Sequence, residues 1–309
     1  CSAEPAPPQR GRDLGRYART IEPETRGPLL GCSPGHGILI ACALAANALG
    51  FTATYLTGTH KLTDLTGTGA FVLSVWTTYG ALRYQHALVS PGKPKPVRPL
   101  LLALAVTFWG VRLGSFLFAR IQNSPEDPRL REFFPKPGEL PIRLAGFWNV
   151  QACWAFFSLL PITMAHRVPG GSSARVAKGF ARGLGYAGWA LFLGGLACEV
   201  TADLQKSAFK ARPGNRDAFC DEGLWKFSRH PNYFGEMSLW WGLFMVAAPH
   251  VPRWCVVSPL FVSLLLLGVS GVPIMEKKYD DKFTGRHPLR DAYAKYKRET
   301  SILVPLPKF

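Results

Sequence analysis

Charge in this chain is confined to blocks. Between the blocks run stretches of about 20 residues with one charge or none, and nothing else in the sequence constrains the fold so strongly. Lipid offers no partners to backbone N–H and C=O groups, so a run of that length crosses a bilayer only as a helix that satisfies its own. Residues 36–56, 144–166 and 254–275 carry no Lys, Arg, Asp or Glu. Residues 67–89 contain only Arg83, and 99–120 contain Arg112 before the terminal Arg120. Residues 183–202 carry Glu199 near their end, and the shorter run 236–250 opens on Glu236. The expectation is an all-α fold: a polytopic transmembrane helical bundle of about seven spans with a C-terminal surface helix. Composition agrees, since 18% of residues are charged against about 25% in a soluble domain.

The formal charge is +16. Its basic residues lie in short loops between apolar runs, which suits topology and lipid headgroups and not a nucleic-acid face. On seven spans, the loops on the C-terminal side hold 21 Lys and Arg and those on the N-terminal side 13. The bias places the tail on the cytoplasm-equivalent side and the N-terminus across the membrane. Residues 1–35, rich in Pro, Arg and Gly, read as a disordered or surface-draped arm, and 36–309 as the transmembrane domain. The sequence starts at Cys1 without Met, which leaves open that the arm is what remains of a processed targeting peptide; it has no apolar stretch of the kind a secretory signal needs. The expected location is the endoplasmic reticulum or, if the arm is such a remnant, a plastid or mitochondrial membrane. The seven cysteines form no CxxC pair, and no metal site is expected.

The ionisable residues inside the spans point to the site. Arg112, Glu199, Asp203 and Glu236 converge, by depth, on one half of the membrane. Charges there pair with one another or line a polar cavity. Both readings stand: a structural salt bridge of Arg112 with Glu199 or Glu236, or a cavity for a polar ligand. Arg83 falls near the opposite interface, where its side chain can reach headgroups. Glu199, Asp203, Lys206 and Lys210 share one helical stripe, carboxylates deep and ammoniums shallow. Downstream, Arg229 and His230 precede Pro231, which can open a helix at its first turn. An Arg beside the free amides of a helix start is an anion site in kind. Asn232 and Glu236 lie four apart on one face of that helix, with Tyr233 beside them. In the tail, residues 290–301 form an amphipathic stretch whose Tyr293, Tyr296 and Lys297 share a face. It either lies on anionic lipid or closes over a bound nucleotide.

At these residues the chain resembles a known family. Leu62-Thr-Asp64-Leu-Thr-Gly67, Phe108-Trp-Gly-Val-Arg112-Leu, Glu199-x-x-x-Asp203-x-Gln-Lys206, Ser228-Arg-His-Pro-Asn-Tyr-Phe-Gly-Glu236 and Ser270-Gly-Val-Pro with Glu276 occur in this order. The set is similar to that of the steroid 5α-reductase-like membrane proteins of the domain-of-unknown-function branch, over residues from about 40 to 307. The resemblance implies an NADPH site between the bundle and the C-terminal loops. It assigns Asp203, Asn232 and Glu236 to cofactor contact, with Arg229, His230, Tyr293 and Tyr296 nearby; the helical stripe and the helix start read above add Glu199, Lys206, Lys210 and Tyr233 to the candidate cofactor-binding residues. Glu199 stands where the steroid enzymes have an amide. For the substrate-side acid and tyrosine the local candidates are Asp64, Tyr79 and Tyr84. The implied activity is NAD(P)H-dependent reduction of a carbon–carbon double bond in a steroid-, sterol- or isoprenoid-like substrate.

Two alternatives of other classes compete. The shorter Arg-His-Pro-x-Tyr-x-Gly pattern also occurs in isoprenylcysteine and phospholipid methyltransferases, which would place S-adenosylmethionine here. A non-catalytic bundle subunit docking to other membrane proteins would keep the fold with an empty or lipid-filled pocket. The expected partners are membrane lipids and a lipophilic small molecule, not nucleic acid.

Overall fold

The computed structural model describes residues 34–89, 92, 97–122, 133–136, 139–166 and 178–306; the arm at 1–33 lies outside the described residues. The described chain is helical, with no strand and a single isolated bridge between Ser228 and Ser301. Its long helices are α1 (Pro34–Thr57), α2 (Thr63–Val89), α3 (Arg98–Gln122), α4 (Ile142–Ala165), α5 (Lys178–Ala211) and α6 (Pro231–Ala247). A rod follows in which α7 (Val257–Leu264) passes through a π turn, Leu265–Val269, into α8 (Val272–Lys282). The last helix is α9 (Arg290–Glu299).

Four of these helical segments are long and apolar enough to cross a membrane: Gly37–Thr57, Arg98–Gln122, Gly179–Ala211 and Arg253–Lys282. Only 28–39% of each apolar window is buried inside the protein, so their outer faces are what make them hydrophobic. The sequence expectation of about seven spans exceeds these four, and the difference has a physical cause. α2 buries Ser74 and Thr78 completely, and α4 buries its whole last run from Ser158 to Ala165. α2, packed on protein through these hydroxyls, needs no lipid-compatible surface there and its hydropathy falls, whereas α4 is made more polar by Arg143, Asn149 and Gln151 in its first half. α6 has 17 residues and is short.

The tightest helix pair is α5 with α6, and glycine makes it so. Gly188 and Gly195 on α5 face Gly242 and Gly235 on α6, each pair spaced by seven residues in antiparallel sense. A Cβ on Gly195 would lie 2.6 Å from the Leu239 nitrogen and 2.7 Å from the Gly235 carbonyl oxygen. One on Gly235 would lie 2.5 Å from the Gly195 carbonyl and 2.6 Å from the Glu199 nitrogen. Backbones approach this closely only where small residues face each other. The seam sets Glu199 and Glu236 side by side at its end. Next to it lies an aromatic core in which Phe71 meets Trp154 at 4.6 Å and Trp109 at 5.1 Å, and Trp109 meets Trp240 at 5.0 Å.

Candidate functional site

Two polar assemblies adjoin along α5. The deeper is a cage around Arg112 of α3. Its Nη1 donates to Glu199 Oε1 at 2.6 Å and its Nη2 to Asp203 Oδ2 at 2.7 Å. Glu199 and Asp203 are one turn apart on α5, so one guanidinium fork reaches both. The expected pairing of Arg112 with Glu199 is present, but the second carboxylate is Asp203 and not Glu236. Glu236 is bonded elsewhere: its Oε2 accepts from the Trp109 indole at 3.0 Å and its Oε1 from Trp240 at 2.9 Å. Trp240 follows Glu236 by four residues and so lies on its helix face, whereas Trp109, three residues before Arg112, reaches Glu236 across from α3. The four-residue spacing is a signal the sequence carries. Asn232 joins weakly, its Nδ2 3.5 Å from Asp203 Oδ1. Asn232 Oδ1 is buried in this cage without a donor, whereas Glu199 shares a side-chain hydrogen bond with the neighbouring Glu236.

The shallower assembly is a cavity of about 20 Å³, with α9 forming part of its wall. Lys206, Arg229, His230, Glu276, Tyr279 and Tyr296 line it, with Phe219, Cys220, Trp225 and Tyr293. Trp225 is pinned by its indole to the Ala202 carbonyl at 2.8 Å, and Gly223, at φ +59°, lets the preceding turn pass against Gln205. The Lys206 ammonium stands 4.2 Å from the Trp225 ring centre and 5.7 Å from that of Tyr279. It has no carboxylate or carbonyl partner among the described residues. Arg229 approaches Glu276 Oε2 with Nη1 at 3.0 Å, yet the angle makes no hydrogen bond, and both its Nη1 and Nε stay unbonded. His230 caps α6, stacks on Tyr233 at 5.4 Å and meets Glu276 Oε1 through Nε2 at 2.8 Å. Burial pushes its pKa below the ordinary value against the pull of Glu276. Burial also raises the pKa of the Cys220 thiol and of the Tyr293 and Tyr296 phenols, so all three stay protonated at neutral pH.

The tail closes this wall. Tyr296 donates its hydroxyl to the Trp225 carbonyl at 2.7 Å, Ser228 donates to the Leu303 carbonyl at 2.7 Å, and the Arg229 amide donates to the Ser301 carbonyl at 2.8 Å. Phe219 packs on Tyr296 at 5.1 Å and on Tyr293 at 5.4 Å. Lys297 holds Asp280 at 2.6 and 2.7 Å and reaches Glu276 at 3.5 Å.

The structure gathers most of the residues singled out from sequence. Glu199, Asp203, Asn232 and Glu236 meet in the cage, and Lys206, Arg229, His230, Tyr293 and Tyr296 line the cavity. Tyr233 backs His230. Lys210 faces elsewhere: its ammonium holds the Arg216 and Ala218 carbonyls of the following loop. Asp64 lies in the first turn of α2, where its carbonyl accepts from Thr68, the residue seated against Gly114. Tyr79 lies apart from both assemblies, eight residues or about 12 Å along α2 beyond Phe71, packed on Trp76 and His166. Arg83 covers its ring, and Tyr84 is 69% exposed. Spacing alone could not reveal the cavity walls Phe219, Cys220 and Trp225, which come from a loop, nor the part played by Glu276.

Residues 50–300 match the model of a family described as protein of unknown function DUF1295. The chain belongs to this DUF1295 family. The match covers every cage and cavity residue, so both assemblies lie within the DUF1295 region. No curated protein and no solved structure matched the chain.

Proposed function

We propose that this protein is an integral membrane oxidoreductase that uses NADPH to reduce a carbon–carbon double bond of a lipophilic, steroid-, sterol- or isoprenoid-like substrate. The observation that carries the reading is the cavity in which two cations, Lys206 with no carboxylate partner among the described residues and Arg229 with one ion pair that forms no hydrogen bond, stand among aromatic rings. Such a wall suits a ligand that joins phosphates to a flat ring. It disfavours S-adenosylmethionine, whose sulfonium would meet like charge. The leftover groups also give an orientation. An acceptor is left over in the cage, at Asn232 Oδ1, and donors are left over in the cavity, at Arg229. A ligand with hydroxyls and a carboxamide at one end and phosphates at the other satisfies both.

The resemblance to steroid 5α-reductase-like proteins supports the same class. When bound, the cofactor supplies a hydride to the β-carbon of the substrate alkene. Arg229, Lys206 and His230 would hold its anionic end, and Asn232 with the cage carboxylates would orient the other. The packed aromatic core beside the cage excludes water, which strengthens every polar contact there. We place seven crossings through the membrane. α6 continues through the turn Ala248–His250, and 17 residues plus three reach about 30 Å. Odd crossings and the loop-charge bias put the cavity and tail on the cytoplasm-equivalent side.

Titrating detergent-purified protein with NADPH, NADH and S-adenosylmethionine while following thermal unfolding tests the proposal. NADPH should raise the midpoint by mass action; a rise with the methyl donor alone overturns it.

A further inference from the structure

The Glu276 carboxylate is gripped from several sides. Arg229 stands 3.0 Å away, His230 2.8 Å and Lys297 3.5 Å. Three basic side chains from two elements outside α8 converge on one carboxylate that is 15% exposed. Yet this carboxylate fits its main partner badly. Arg229 is 90% buried, and its Nη1 and Nε make no hydrogen bond although Glu276 Oε2 stands 3.0 Å from Nη1, where a guanidinium in a settled carboxylate pair forms two parallel bonds. A buried guanidinium that is ion-paired but not hydrogen-bonded, beside a cavity, is a donor set open to a better-fitting anion.

We infer that Glu276 is a built-in occupant of the site's anion seat. A phosphate group of the ligand displaces its carboxylate from Arg229 and His230, and α9 is the lid that moves in the exchange. The inference rests on the phosphate-binding reading proposed above. Room requires it. At about 20 Å³ the cavity admits about one water, so an anion of phosphate size enters only if a wall retreats. The wall that can retreat is the tail. Lys297 bridges Glu276 and Asp280, so when Glu276 leaves the seat, α9 stays tethered through Asp280. α8, which carries Glu276, joins α7 through the π turn, where Ser270 donates to the Leu265 carbonyl at 2.8 Å. Irregular turns of this kind mark places where a helix is interrupted for function. Charge sets the sign. Removing one negative charge from a seat that also holds Arg229, Lys206 and Lys297 raises its attraction for a polyanion.

The test compares wild type with Glu276→Gln, which keeps shape and loses charge, and with Glu276→Asp, which withdraws the carboxylate by one methylene. Pyrophosphate and NADPH are titrated against each purified protein. Glu276→Gln is expected to bind both at least tenfold more tightly, with Glu276→Asp in between. Trypsin should also cleave at Lys295, Lys297 or Arg298 faster in Glu276→Gln without ligand. Weaker or unchanged binding of pyrophosphate by both variants overturns the inference. If wild type and Glu276→Gln bind NADPH equally, the exchange falls and the nucleotide reading stands. If pyrophosphate tightens in the variants while NADPH binds none of the proteins, the seat stands and the nucleotide reading falls.

Discussion

One helical turn of α5 separates the cage from the cavity, and the two are built on opposite terms. In the cage, Arg112 is matched by two carboxylates and Glu236 by two indoles, all supplied by transmembrane-length or interior helices. In the cavity, Lys206 has only ring faces and Arg229 has an ion pair of poor geometry. The cage therefore holds the bundle together, and the cavity is held in readiness. Saturation tracks rigidity: the cage hangs on the glycine seam, whereas the cavity is closed by a tail attached through three hydrogen bonds and one lysine.

The most direct way to break this contrast is to remove one cation from each side. Arg112→Met leaves Glu199 and Asp203 buried without a counterion, and the loss should be about 3–5 kcal/mol. Arg229→Met removes a guanidinium that makes no side-chain hydrogen bond, and its cost should stay near 1 kcal/mol. Denaturation of the purified proteins in one detergent measures both; equal losses would erase the distinction. The seam comes next. Gly235→Ala forces a Cβ into the α5 backbone and should cost about 1–3 kcal/mol. Gly194→Ala, with nothing within 4 Å of the added atom, should be neutral or mildly stabilising.

Much of this was legible in the sequence. Helix positions followed from uncharged runs, and Pro231 does open α6. The convergence of Arg112, Glu199 and Asp203 followed from their depth. What escaped was whatever depends on a side chain crossing between elements. Glu236 looked available to Arg112 because periodicity gives a face but not a reach, and the indoles of Trp109 and Trp240 were already there. The seven-residue glycine spacing of α5 and α6 was visible, but each half means little until the other is opposite it. Tyr79 and Tyr84 share a helix with Asp64, yet a 27-residue helix carries them away from it.

The smallest expected effect sharpens the cavity side. His230 is held below its ordinary pKa by burial, while Lys206, Arg229 and Glu276 face it. The unfolded chain therefore binds more protons below about 6.5, and the folded state loses stability as pH falls through that value. Compared with His230→Gln, wild type should lose its advantage between pH 7.5 and 5.5. A stability gap that stays constant over this range would show that the histidine does not titrate as burial dictates.

The Arg112 fork has a consequence for how the protein is made. Its two partners lie 87 and 91 residues later in the chain. At 5–20 residues per second, synthesis leaves a delay of about 4–18 s in which α3 exists and its counter-charges do not. During that interval the newborn helix carries a bare guanidinium into a greasy environment. It must wait at the membrane surface, let its arginine reach headgroups, or lean on an assembly factor until α5 arrives. The ionic lock that finishes the molecule is, for those seconds, the obstacle to its biogenesis.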